Sequence, residues 1–277
     1  MSKYCPVTDS MVPYPVCKEC DRTDCDKFTK IKKRLEEHSE CVKEKYPFEK
    51  AEFFFSVLCG SQNYNLDGPD SDVDSKTVLL PSKKSLYVNG GNFSSNINCG
   101  NNEYSDAKDL HSYLVTVTKG NMNYLETLFS DYVFVNPIYK SEFNLLMSER
   151  NNISKALPRK VMNCVNGMAY SAYKERFNKE TGSIKGKKIA TILRLANFSH
   201  SYVLGENPGI CFKSFPVFSR DCILSAKFRN EFDEKDLTNA MEMIERNYDF
   251  SESFGVTDIS DKINDLTRQI LIKRDSK

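Results

Sequence analysis

Residues 50–81 read KAEFFFSVLCGSQNYNLDGPDSDVDSKTVLLP. The aromatic and β-branched run Ala51 to Cys59 ends at Gly60, as a buried strand entering a turn does. A second apolar run, Val73 to Leu80, stops at Pro81, which cannot donate to a ladder. Between them lies a turn-forming stretch carrying Asp70, Asp72 and Asp74 at every second position. Strand side chains alternate between faces, so Asp72 and Asp74 share one face while Val73 points into the core. Asp70 follows Pro69 in the turn and reads as conformational. Two neighbouring carboxylates cannot both stay ionised cheaply without a compensating cation, and oxygen ligands select Mg²⁺ or Mn²⁺. Upstream, Gly60 lets a phosphate approach the backbone, and the Ser61 hydroxyl and nearby N–H groups can donate to it. An Asx-rich turn between two strands is the plain alternative. The order of parts favours chemistry: strand, Gly-Ser, about ten residues, Asp-x-Asp, and a strand continuing from the second Asp.

Outward from this unit the 277-residue chain divides into three parts. Residues 49–135 hold the two strands and an Asn/Gly/Ser-rich stretch, VNGGNFSSNINCGNNEYS, expected as a long loop or weak hairpin. A helix is then expected from Asp109 to Gly120, because Leu110, Tyr113, Leu114 and Val117 recur at helical spacing. The shorter helix NMNYLETLFS follows, so Lys119–Asn121 read as a helix stop and restart, with Glu126 capping or pairing. Residues 136–277 read as mainly helical, with apolar stripes at Ile189, Ile192, Leu193, Ala196 and Val203 and at Ile259, Ile263, Leu266 and Ile270. Strands first and helices afterwards suggest an α/β (α+β) domain with a mixed sheet, followed by a helical one.

Residues 1–48 form a Cys-rich extension followed by a charged helix with a narrow stripe of Phe28, Ile31, Leu35, Val42 and Tyr46. Cys17 and Cys20 have the C-x-x-C spacing that closes on Zn²⁺, and with Cys5 and Cys25 they offer four thiols. A metal would explain how a stretch with three prolines and few apolar residues folds; the alternative is a flexible tail. The remaining cysteines are scattered and expected reduced. His38, His111 and His200 lack ligand spacing and are expected on helix surfaces or in satisfied core positions.

With 39 basic against 38 acidic residues, bulk charge announces no nucleic-acid or membrane partner. Locally, residues 155–188 carry nine basic and two acidic residues, whereas 229–277 carry eight basic and twelve acidic. No apolar run approaches the roughly 20 residues that cross a bilayer, and MSKYCPVTDS has no hydrophobic signal core. A soluble, cytoplasmic protein without a membrane partner is expected.

GSQNYNLDGPDSDVDSKTVLL resembles the signature of the DNA polymerase β-type nucleotidyltransferase superfamily, and more narrowly predicted bacterial and phage nucleotidyltransferases that include an RNA ligase-associated group. DLHSYLVTVTKGNMNYLETLFS and KGKKIATILRLANF resemble later segments of that group, so the likeness spans about residues 50–210. The resemblance implies a minimal nucleotidyltransferase palm, with Gly60 and Ser61 at nucleotide phosphates and Asp72 and Asp74 on two Mg²⁺ or Mn²⁺ ions. It further implies a third carboxylate on a neighbouring strand, Asp106 or Asp109, of which Asp109 could instead cap the helix at Leu110. It places a lysine, Lys187 or Lys188, near the triphosphate; Lys185 and Arg194 belong to the same basic helix start. If the chain is phage-encoded, its location is the host cytoplasm and RNA repair its setting.

The expected reaction is in-line displacement at the α-phosphorus of a nucleoside triphosphate such as ATP, with pyrophosphate leaving and an RNA or tRNA hydroxyl accepting. A protein side chain is the alternative acceptor. From another class, the chain could be a catalytically silent nucleic-acid-binding module.

Overall fold

The computed structural model describes residues 2–5, 10–13, 26–47, 49–68, 71–255 and 257–276. Pro69, Asp70, Cys17, Cys20 and Cys25 lie outside the described residues, and of Cys5 only the backbone is described, so the zinc expectation falls outside them. The chain is α+β. Strands β1 (Ser2–Cys5) and β2 (Ser10–Pro13) pair antiparallel, and helix α1 (Asp26–Lys45) follows.

Next come β3 (Ala51–Cys59), β4 (Asp74–Pro81), α2 (Lys83–Asn89), β5 (Ser94–Asn98), β6 (Tyr104–Asp109), α3 (Leu110–Thr118), α4 (Met122–Leu125) and β7 (Val133–Val135). The five strands from β3 onward form one mixed sheet ordered β5-β6-β4-β3-β7, in which β4 and β6 are parallel and the other pairs antiparallel. Of the two expectations for the Asn-rich stretch, the hairpin is the observed one: β5 and β6 pair across a turn in which Asn101 and Asn102 adopt left-handed backbone. Helix α2 and strand β7 have no counterpart among the expected elements. Both are too short to carry a periodic signal.

Six successive residues of β3, Phe53 to Leu58, are buried, because helices cover both faces of the sheet. Each fully buried phenylalanine or leucine there contributes roughly 2 kcal/mol relative to exposure. On one face α1 packs with Ile31, Leu35 and Val42. These meet Leu58 and Val73 at one end and Leu79 and Ala107 at the other. Beneath α1 a run of buried hydroxyls, Ser56, Thr77, Ser105 and Ser75, satisfies itself and joins His38. The opposite face carries Phe55, Val57, Val78 and Leu80 into the main core.

That core is shared with the helices that follow: α5 (Lys140–Lys155), α6 (Pro158–Lys174), α7 (Gly186–Val203), α8 (Pro208–Cys211), α9 (Arg220–Arg229), α10 (Glu234–Phe250) and α11 (Ser260–Asp275). Helix α7 is the central one, with twelve buried residues, packed between α6, α9 and α10. Among the described residues no helix is long and apolar enough to cross a membrane.

Candidate active site

The antiparallel register of β3 and β4 pairs Cys59 with Asp74, which brings the Gly60–Ser61 turn beside the start of the aspartate strand. Gly60 has φ +82° and ψ −160°, a conformation essentially reserved for glycine. It turns the chain into the 3₁₀ segment Ser61–Tyr64. Gln62 ties this turn to the aspartate loop, its Nε2 donating to the Ser71 and Asp72 carbonyls at 2.9 and 2.7 Å. Val73 is buried against Ile31, Leu35 and Leu58, so Asp72 and Asp74 emerge on the other face.

Strand β6 completes this face. Its parallel pairing sets Asp106 opposite Lys76, with Asp74 one diagonal step away. Asp109 lies at the far end of β6, where its carboxylate accepts from the Ser112 and Phe93 amides, both at 2.9 Å, and caps α3. The structure thus separates the two candidates: Asp106 shares the face of Asp74, and Asp109 is a buried cap.

The carboxylates of this face differ in their surroundings. Partial burial and the neighbouring Asp72 charge push the Asp74 pKa up, while the Tyr104 amide, donating to its Oδ1 at 3.2 Å, works against that shift. Asp106 Oδ2 accepts from Lys76 Nζ at 3.1 Å and from the Tyr124 hydroxyl at 2.5 Å. Lys76 is only 8% exposed and also lies over the Tyr124 ring, 4.1 Å from its centroid. From the α1 side the loop is anchored by Glu103. Its Oε1 accepts the Val73 amide at 3.2 Å, and its Oε2 accepts from Arg34 and from His38 Nε2. Burial alone would raise the Glu103 pKa; Arg34, the Val73 amide and His38 together hold it below the usual carboxylate range.

Glu126 sits beneath the Gly-Ser turn. Its Oε1 accepts the Gly60 N–H at 3.3 Å, while its Oε2 is buried without a hydrogen-bond partner among the described residues. Burial pushes its pKa up to about 8, against the opposing charge of Arg194. Glu126 occupies the C-cap position of α4, and its side chain takes up the Gly60 amide. Arg194 stacks over Tyr64 at 4.1 Å from the ring centroid and does not line the cleft described next.

Across from the sheet face opens a cleft of about 690 Å³. The sheet side contributes Ser61, Ser71, Asp72, Asn101, Asn102 and Glu103, and the helical side Lys187, Lys227 and Phe228; of the three candidate aspartates Asp72 alone is among these lining residues. Lys187 stands in the first turn of α7, close enough for its charge to work against the rise in the Asp74 pKa. Lys188 turns away into an ion pair with Glu175 at 2.6 Å. Lys227 bridges the two sides by donating to the Leu66 carbonyl at 2.6 Å. The Phe228 ring is 53% exposed beside it.

No model of a known protein family matches the chain, and no curated protein matches it significantly.

Gln62, Lys76, Glu103, Tyr124, Lys227 and Phe228 join the site without having been expected from the sequence. Lys76 was within reach of the period-two argument, two residues after Asp74 and so on the same face. Lys227 and Phe228 carried no signal, because only the packing of α9 against α7 brings them to the sheet. Among the described residues no group of three His, Cys, Asp or Glu side chains lies close enough to hold a metal ion. The donor chemistry of Asp72 and Asp74 nevertheless fits a hard divalent cation: two carboxylates crowd one another, and Asp74 Oδ1 alone is engaged with backbone. The six cysteines outside the extension are free thiols, in no disulfide. His38 is a satisfied core residue, and His111 is at the surface near Asn264.

Proposed function

We propose that the chain is a metal-dependent nucleotidyltransferase whose sheet serves as a minimal palm of the polymerase β type. The observation that carries the reading is that Asp74 and Asp106 share one sheet face, with Asp72 in the loop that leads into β4, beside a glycine-turned Gly60–Ser61 corner. Asp72 and Asp74 would hold Mg²⁺ or Mn²⁺, and Asp106 adds the third carboxylate of that face. When bound, such an ion supplies Lewis-acid neutralisation of phosphate oxygens.

The chain's own groups supply position. Ser61 lines the cleft, where its hydroxyl can donate to a phosphate, and the first N–H groups of a helical turn lack partners within it. Lys187 and Lys227 line the cleft with Asp72 and supply charge to a triphosphate. Phe228 offers a ring on which a base can stack. The acceptor oxygen forms a bond to the α-phosphorus as the bond to the bridging oxygen breaks, and pyrophosphate departs with that electron pair while the hydroxyl proton passes to solvent.

The test incubates the protein with labelled ATP, GTP, CTP or UTP, Mg²⁺, RNA and total protein extract. Transfer to RNA that disappears in the Asp72→Asn, Asp74→Asn double variant supports the reading. Label on protein alone indicates a side-chain acceptor. The engagement of Asp106 by Lys76 favours a second reading, a nucleic-acid-binding module without transfer. Salt-sensitive RNA binding with no label on any acceptor would support that one and overturn the first.

A further inference from the structure

We infer that Lys76 is a resident cation of the carboxylate face, so that the site takes a single divalent ion on Asp72 and Asp74 while Asp106 is reserved for the lysine. The inference rests on the transferase reading for the identity of the ion, and goes beyond it in the number of ions and in the role of Asp106.

Three observations support it. First, the parallel β4–β6 register sets Lys76 directly opposite Asp106. Second, the pairing is built rather than incidental. The lysine is almost fully buried, its ammonium is held by Asp106 Oδ2 at 3.1 Å and by the Tyr124 ring, and the Tyr124 hydroxyl donates to the same oxygen at 2.5 Å. Third, Asp72 and Asp74 flank the buried Val73, and among the described residues Asp74 is engaged only at Oδ1, by the Tyr104 amide at 3.2 Å, so the two carboxylates have oxygens to offer a divalent ion.

A divalent ion taking Asp106 Oδ2 would have to displace two donors and leave a buried ammonium without its carboxylate, and one taking Oδ1 would set a dication on the carboxylate that already holds the buried ammonium. An uncompensated buried charge is among the costliest arrangements in a protein interior. The lysine and Asp106 already satisfy one another, so the ion is better held by Asp72 and Asp74.

The test is Mn²⁺ binding to the full chain, followed by electron paramagnetic resonance and by calorimetry, with thermal unfolding to verify that each variant is folded. The wild type is expected to bind one Mn²⁺. Asp74→Asn should weaken it by on the order of tenfold or more, whereas Asp106→Asn should change the affinity by less than about twofold. Lys76→Met frees Asp106 as a ligand and should tighten Mn²⁺ binding by about tenfold or admit a second ion. Tyr124→Phe removes one donor from Oδ2 without touching the lysine, and should move affinity in the same direction by less.

Two ions per wild-type chain, or Asp106→Asn weakening binding as much as Asp74→Asn, would overturn the inference while leaving the transferase reading intact. Unchanged affinity and stoichiometry in Lys76→Met, as a merely structural ion pair would give, would overturn it in the same way. A wild-type chain that takes up no Mn²⁺ would overturn both.

Discussion

Gly60 shows how one residue governs the candidate site. Its backbone at φ +82° and ψ −160° is open to glycine and strained for any side chain, although a Cβ there would meet no atom within 4 Å. Gly60→Ala should therefore cost about 1–3 kcal/mol of stability through backbone strain alone, read from urea unfolding, and displace Ser61 enough to weaken nucleotide binding. Asp109 gives the opposite case. Asp109→Ala removes the cap of α3 and the acceptor of the Phe93 amide, so it should lower stability by about 1–2 kcal/mol while transfer activity persists in the folded fraction. Glu126 makes stability depend on pH. Its carboxyl titrates near 8 in the folded chain against 4.5 ordinarily, so between those values the native state holds a proton that the unfolded chain has lost. Native stability contributed by this group therefore falls as pH rises through the window. Glu126→Gln should flatten that slope and leave the protein more stable than wild type above about pH 8, as urea midpoints measured across the window would reveal.

At the scale of elements, the approach of α7 to α9 decides where Lys187 stands. Gly186 opens α7 with its N–H donating to Asn230 Oδ1 at 2.9 Å, and a Cβ at this position would lie 1.9 Å from the Ala226 carbonyl oxygen. The obstacle is backbone, which cannot rotate aside. Gly186→Ala should force the two helices apart, lower the unfolding free energy by about 2 kcal/mol or more, and weaken nucleotide binding through displacement of Lys187, measured by thermal unfolding and calorimetry together. The β4–β6 pairing is the second such element. A one-residue slip would turn Asp106 to the α1 side and bring Ser105 or Ala107 to the cleft face, so the site depends on register as much as on residue type.

Across the whole molecule, charge segregated along the chain is recombined in space. Arg159 of the basic segment pairs with Glu252 of the acidic one, and Lys188 is neutralised locally by Glu175. Lys187 and Lys227 are left at the cleft, where the helices meet the sheet opposite Asp72. Replacing both by Ala should weaken triphosphate binding by on the order of tenfold per lysine, with the loss diminishing as salt is raised, since each charge-assisted contact is worth about 1.5 kcal/mol and is screened. Lys227→Ala alone also removes the bond to the Leu66 carbonyl that ties helices to sheet, so its effect on stability should exceed that of Lys187→Ala.

Much of this was legible in the amino-acid order. The strand from Ala51, the turn at Gly60, the alternation that separates Val73 from Asp72 and Asp74, and the helical stripes of α3, α7 and α11 follow from local periodicity and turn chemistry, which act over a few residues. Asp106 was legible only as one of two candidates, because the polar strand around it lacks an apolar alternation of its own and is held in place by pairing with β4. The part-buried ion pair of Lys76 and Asp106, the grip of Glu126 on Gly60 and the cleft lysine at Lys227 join residues 30, 66 and some 160 positions apart. Such contacts depend on strand register and on how helices pack, and only tertiary structure sets either.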